Sequence, residues 1–235
     1  MSKEKDMIMF FLGIKQIEDW KDLLISPKHW KEGHSAKALA NCWWEAKDFP
    51  EEIKIVFKKS KIFNNIELCV ACPEFPIYLN TKKSPSHIDI FCLAKDDNTR
   101  CIVIVIEGKA GEPFDKSVGK WLRNRSKDGG GRRLRYLSKI LGISLRRDPS
   151  IMYQLINKSA AAIIGAKQFH AAITLVIIHS FGNEAKGFDD FSKWVKMLNH
   201  KVKPEPNEIY FCGKRSEIKL YLSWVNGDPK HLESR

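Results

Sequence analysis

The sequence predicts an α/β sandwich, with a central mixed β-sheet flanked by helices. Three observations carry this reading. Two strand-forming runs, "SHIDIFCLAK" and "RCIVIVIEGKA", enclose the turn "DDNT" and read as a β-hairpin. The second run is apolar at consecutive positions, which suits a central strand covered on both faces. Along the whole chain the patterns run helix, strands, helices, strand, helix, strands.

Taken in order, "EGHSAKALANCWWEAKDFPEEI" predicts one helix, with His34 and Ser35 near its start, Leu39 and Trp43 on one face, and Pro50 ending it. "IELCVACPEFPIYL" is rich in strand formers, but Pro73 and Pro76 confine it to an edge or a bend. The hairpin follows. "DKSVGKWLRNRSKDGGGRRLRYLSKILG" predicts a helix around Trp121, a flexible triglycine, and an amphipathic helix with Leu134, Leu137, Ile140 and Leu141 on its apolar side. "SIMYQLINKSAAAIIGAKQF" reads as a helix, "AAITLVIIHSF" as a buried strand, "DDFSKWVKML" as a helix, and "EIYFCGKRSEIKLYLSW" as a closing strand pair. With no internal repeat, residues 1–235 read as a single domain.

Composition narrows the function classes. The 235 residues are 43% hydrophobic and carry a formal net charge of +12, an excess that favours polyanionic partners such as nucleic acid. Six cysteines fall mostly in apolar stretches and read as reduced, buried thiols. The single CxxC, Cys69 and Cys72, has no second pair to complete a structural zinc site. The apolar stretch near the N-terminus is short and runs into charges, unlike a secretory leader. No segment is long and apolar enough to span a bilayer. A cytoplasmic protein without a membrane partner is expected. The chain also lacks GxSxG, HExxH, GxGxxG after a strand, and the P-loop pattern, so no nucleotide cofactor is expected.

The opposite charges Glu107 and Lys109, planted at the end of an aliphatic strand, point to a site. The spacing itself is uninformative, because acid, any residue, lysine occurs seven times in the chain. Context separates this instance. Glu107 and Lys109 share one face of their strand while Gly108 turns to the other. A three-residue loop, Asp97 to Thr99, would set Asp96 opposite Arg100 and therefore Asp89 opposite Glu107. Two carboxylates so opposed have Cβ atoms about 4.5–5.5 Å apart and repel unless a cation lies between them. A hard divalent cation such as Mg²⁺ binds carboxylate oxygen and would supply that charge. An even loop would place Asp89 opposite Ile106 and break the arrangement.

Asp89 followed by Glu107-Gly108-Lys109, in a helix, hairpin, helix, strand order, resembles the PD-(D/E)xK nuclease superfamily over about residues 33–181. "EGHSAKALA", "IDIF", "EGKAGEPFD", "YQLINKSAAAIIGA" and "HSF" also resemble a family of uncharacterised bacterial proteins assigned to it. One departure is that Ile88, not proline, precedes Asp89; Pro85 lies four positions back. The resemblance implies a restriction-endonuclease-like fold. It further implies that Asp89, Glu107 and the Gly108 carbonyl ligate Mg²⁺, with Mn²⁺ able to substitute, and that Lys109 orients the attacking water or stabilises the phosphorane. In related nucleases a Gln or Tyr on the following helix reaches the site, which nominates Gln154 and Tyr153. Gln154, Asn157 and Lys158 share a helix turn, and a polar edge on a packed helix is the alternative.

Around this core, Glu112 reads as a cap for the helix through Val118, or as an extra acid. His87 shares the face of Asp89, while Glu45 reads as a solvated helix position or an additional ligand. The densest positive segment supplies Arg123, Arg125, Lys127, Arg132, Arg133 and Arg135 as a mobile basic arm for phosphates. The expected function is a Mg²⁺-dependent nuclease hydrolysing DNA phosphodiesters, in restriction or defence against foreign DNA, with a two-fold dimer favoured for a double-strand cut. The alternative is an inactive nuclease-like domain that binds nucleic acid or a protein partner. A nuclease acting on RNA is a third reading.

Overall fold

The computed structural model describes residues 9–10, 14–79, 85–124, 127–145, 148–182 and 185–233. After a two-residue strand β1 (Met9–Phe10) come the short helix α1 (Trp20–Leu23), α2 (Ser35–Ala46), α3 (Glu51–Lys58), then strands β2 (Glu67–Ile77), β3 (Ser86–Lys95) and β4 (Cys101–Lys109). Helices α4 (Val118–Arg123), α5 (Lys127–Leu141) and α6 (Tyr153–Gln168) lead to β5 (Ile173–Phe181). Helix α7 (Ala185–Leu198) and strands β6 (Ile209–Arg215) and β7 (Ile218–Gly227) close the chain.

The strands form one mixed sheet in the order β1-β2-β3-β4-β5-β7-β6. Strands β2, β3 and β4 are antiparallel, β4, β5 and β7 are parallel, and β6 returns antiparallel to β7. The aliphatic strand β4 is thus the middle strand, and each of its residues from Ile102 to Lys109 is buried. Its alternation divides the hydrophobic interior. Val103 and Val105 join Leu134, Leu137, Ile156 and Trp194 beneath α5, α6 and α7, whereas Ile102, Ile104 and Ile106 join Leu39, Trp43 and Ile53 beneath α2 and α3.

Two local expectations are corrected. The helix beginning at Ser35 ends at Lys47, whose φ of 46° is left-handed, and Pro50 opens α3 instead of closing α2. Proline suits a helix start because its missing N–H is an orphan there anyway. The triglycine Gly129–Gly131 is no flexible linker but lies within the first part of α5. Burial of Leu134, Leu137 and Leu141 under that helix offsets the low helix propensity of glycine.

The hairpin joining β3 to β4 turns on Asp96. Its carboxylate accepts the Asn98 and Arg100 N–H groups, its own N–H reaches the Arg100 carbonyl at 3.2 Å, and Thr99 takes φ 59°. This is a three-residue loop with a left-handed final residue. The ladder above it pairs Lys95 with Cys101 and Ile90 with Ile106, so one step further brings Asp89 level with Glu107.

Candidate active site

Glu107 and Lys109 continue the face of β4 that carries Val103 and Val105, and Asp89 continues the face of β3 that carries Phe91. These side chains meet the N-terminal half of α6 at a cleft of about 730 Å³. Glu107 and Lys109 are buried, with 2% and 7% of their side chains exposed, and Asp89 keeps 26%.

Each carboxylate commits one oxygen to the scaffold. Asp89 Oδ2 accepts the Gly108 N–H at 2.9 Å. Glu107 Oε1 accepts from Lys109 Nζ at 2.8 Å and from the Gln154 amide, whose own Oε1 accepts from Lys109 Nζ at 3.0 Å. Lys109 is therefore held by two partners, and its ammonium also lies 5.0 Å from the centre of the Phe114 ring.

The remaining oxygens face Lys158. Its Nζ lies 2.9 Å from Asp89 Oδ1 and 2.6 Å from Glu107 Oε2, and it donates to the His87 carbonyl at 2.6 Å. The Lys158 ammonium is thus the shared counter-charge of both remaining oxygens. Sequence reasoning noticed Lys158 only as part of a polar edge. Its spacing of four from Gln154 was the available signal, because both residues then reach the same strand end.

A third acid was missed altogether. Glu74, between Pro73 and Pro76 on β2, has φ 51° and lines the same cleft. Strand β2 pairs Pro73 with Ile90 and Phe75 with Ile88, which brings Glu74 level with Asp89 and makes a row of three acids across β2, β3 and β4. Burial and the nearby Asp89 charge push the Glu74 carboxyl up to about 8. Burial and Glu107 likewise raise Asp89. Burial pushes Glu107 up too, but the Lys109 and Lys158 ammoniums more than offset it and hold that group at about 2. For Lys158, burial works against the charge, and Asp89 and Glu107 outweigh it, so its pKa is raised.

Among the described residues, four buried side-chain polar atoms lack a hydrogen-bond partner in the protein, and three belong to residues lining this cleft: His87 Nδ1, Glu107 Oε2 and Asn157 Oδ1. Buried polar groups are rarely left so.

Other expectations fare differently. Glu112 lines the cleft but does not cap α4; its Oε2 accepts the Ala110 N–H at 2.6 Å, and Ser117 caps the helix instead. A serine directly before the first helical residue is the better-placed acceptor. Glu45 lies away from the cleft beside Lys230 and His231. Arg133 donates to the Tyr153 hydroxyl at 3.2 Å, and Tyr153, stacked on Trp121 at 4.0 Å, lines the cleft. Arg123, Arg132 and Arg135 are exposed, but none of them is among the cleft-lining residues. Arg125 lies outside the described residues, and only the backbone of Lys127 is described.

On the opposite face of the sheet, Cys42, Glu52 and His179 bring their ligand-capable atoms within 4.8 Å of one another. Trp43 Nε1–H donates to His179 Nδ1 at 3.4 Å, and His179 Nε2 lies 3.0 Å from Glu52 Oε1, which also accepts from the Cys42 thiol at 3.4 Å. With Nδ1 accepting, Nε2 carries the proton and donates. The cluster is a satisfied hydrogen-bonded chain, and a metal on Nε2 would have to displace that proton.

With this architecture defined, residues 13–229 match the family described as a domain of unknown function, DUF6946, and the chain belongs to that family. No curated protein and no solved structure matches it.

Proposed function

We propose that this chain is a divalent-metal-dependent nuclease that hydrolyses DNA phosphodiester bonds, a relative of the PD-(D/E)xK superfamily. The observation that carries the reading is the convergence of Asp89, Glu107 and Lys109 on one cleft wall, with one oxygen of each carboxylate held by the strands and the other facing the Lys158 ammonium. The donor set fits the ion. Asp89 Oδ1 and Glu107 Oε2 are hard oxygen donors that share a single counter-cation, Lys158, and such ligands suit Mg²⁺ or Mn²⁺.

When bound, the cation supplies a water of lowered pKa and polarises a phosphoryl oxygen. The chain's own groups do the rest. Lys109, fixed by Glu107 and Gln154, directs an ammonium at the negative charge that develops on the phosphoryl oxygens. Gln154 orients both partners and is a positioning residue. Arg133, presented to the cleft wall through Tyr153, and the exposed Arg123, Arg132 and Arg135 supply phosphate contacts that add affinity without sequence information. One site per chain calls for a two-fold dimer to cut both strands. Of the six cysteines expected to be buried, Cys42, Cys92 and Cys212 are, whereas Cys69, Cys72 and Cys101 are half-buried; a cytoplasmic setting is part of the proposal, and among the described residues no helix is long and apolar enough to cross a membrane. We assign this activity to restriction or defence against foreign DNA as part of the same proposal.

The test is cleavage of plasmid and linear DNA, with RNA in parallel, in Mg²⁺, Mn²⁺ or EDTA, beside Glu107→Ala and Lys109→Ala. Metal-dependent cutting of DNA that both variants lose is the expected result. Cutting that survives EDTA or either substitution refutes the assignment.

One observation favours a second reading. The Lys158 ammonium already neutralises the two carboxylates, as a domain without a metal would require. In that case the protein binds DNA through its basic surface in a salt-dependent way that is indifferent to EDTA, and no cleavage appears.

A further inference from the structure

We infer that Lys158 is a resident counter-cation that a divalent metal must displace, so that metal binding at Asp89 and Glu107 is coupled to withdrawal of the Lys158 ammonium. This rests on the metal-dependent reading above. Four observations lead to it. The scaffold takes Asp89 Oδ2 and Glu107 Oε1, leaving Oδ1 and Oε2 as the pair a bridging cation would use. Lys158 Nζ lies 2.9 Å and 2.6 Å from those two oxygens. Its side chain is only 7% exposed, so water does little to screen it. The His87 carbonyl, at 2.6 Å, holds it in place.

The two occupants exclude one another. Mg²⁺ takes carboxylate oxygens at about 2.0–2.1 Å, and a divalent ion bridging the same pair would fall almost on the ammonium. Lys109 is not in competition, because it binds through Glu107 Oε1 and Gln154. Withdrawal of Lys158 needs no movement of α6, whose Leu155, Ile156 and Ala160 remain packed in the core; the flexible four-carbon stem swings into the cleft that Lys158 already lines. A phosphodiester in that cleft offers the displaced ammonium a new anionic partner. Metal and nucleic acid therefore bind with positive coupling.

Mn²⁺ titration followed by electron paramagnetic resonance of the free aqua ion, without DNA, reads the affinity independently of catalysis. Lys158→Met is expected to bind Mn²⁺ at least about tenfold more tightly than the wild type, since a competing buried charge pair is gone. Lys158→Arg, whose planar fork suits two carboxylates, is expected to bind no more tightly than the wild type. Asp89→Asn in the Lys158→Met background is expected to lose the site. If circular dichroism shows that Lys158→Met does not fold, Lys158→Gln carries the same comparison. Equal or weaker binding by the Lys158 variant overturns the inference and leaves the nuclease reading standing. Absence of binding by wild type and variant alike overturns both.

Discussion

Gly108→Ala isolates the geometry behind the site. An added Cβ at Gly108 would lie 2.4 Å from Leu39 Cδ1, 2.8 Å from Leu39 Cγ and 3.4 Å from Ser35 Cβ. The first two separations are far inside van der Waals contact. Leu39 cannot simply swing away, because it is 1% exposed within the core beneath α2. Either α2 lifts or β4 is pushed towards the cleft, and the second movement would disturb the Gly108 N–H bond to Asp89. Overpacking of this kind costs about 1–3 kcal/mol, or roughly 2–12 °C of melting temperature for a chain of this size. Urea unfolding measures the loss directly. Leu39→Ala alone costs about 2–5 kcal/mol by leaving a cavity. Combined with Gly108→Ala it removes the clashing atoms, so the double variant should be more stable than the sum of the two singles by about 1 kcal/mol or more. Additive losses, or a Gly108→Ala protein as stable as the wild type, would refute the proposed packing of α2 on the site strand.

Two further outcomes are expected. Arg133→Ala should weaken binding of duplexes of unrelated sequence alike and reduce the slope of log affinity against log salt by about 0.9 for a lost phosphate contact; an unchanged slope in fluorescence anisotropy titrations removes Arg133 from the interface. Burial pushes the Glu52 carboxyl up, but the His179 hydrogen bond outweighs it and holds the group at about 2, below its ordinary 4.5. A depressed folded pKa contributes stability that is present above about 4.5 and is lost as pH falls towards 2. Glu52→Gln should therefore cost stability at pH 7 and flatten the decline between those values, and denaturation curves of the two proteins that stay parallel down to pH 3 would contradict it.

The central elements were legible because their patterns are strong. An aliphatic run such as Ile102 to Ile106 can bury itself only in mid-sheet, and the short loop around Asp96 sets the hairpin register, hence the level of Asp89 with Glu107. Glu74 was hidden because its place depends on the β2–β3 register, a non-local fact, and because two nearby prolines argued for a bend. Lys158 was visible on its helix, but nothing local says that α6 lays it between two carboxylates on separate strands. The triglycine misled for the opposite reason. Glycine propensity is a local tendency of about 1 kcal/mol per residue, and the tertiary burial of Leu134, Leu137 and Leu141 overrides it.

The two faces of the sheet divide the labour at the end of β4. The cleft face holds charges in a partly satisfied arrangement, which is costly and is kept only where the surroundings are rigid. The other face supplies that rigidity. Gly108 is level with His179 on β5; Leu39 presses on the first, while Trp43, one helical turn further along α2, donates to the second. His179 in turn ties β5 to Glu52 of α3. The Trp43–His179–Glu52–Cys42 chain thus braces the backbone from which Glu107 and Lys109 project. That accounts for polar groups buried on this face, His179 fully so: they fix the position of Gly108, and through its N–H, the carboxylate of Asp89.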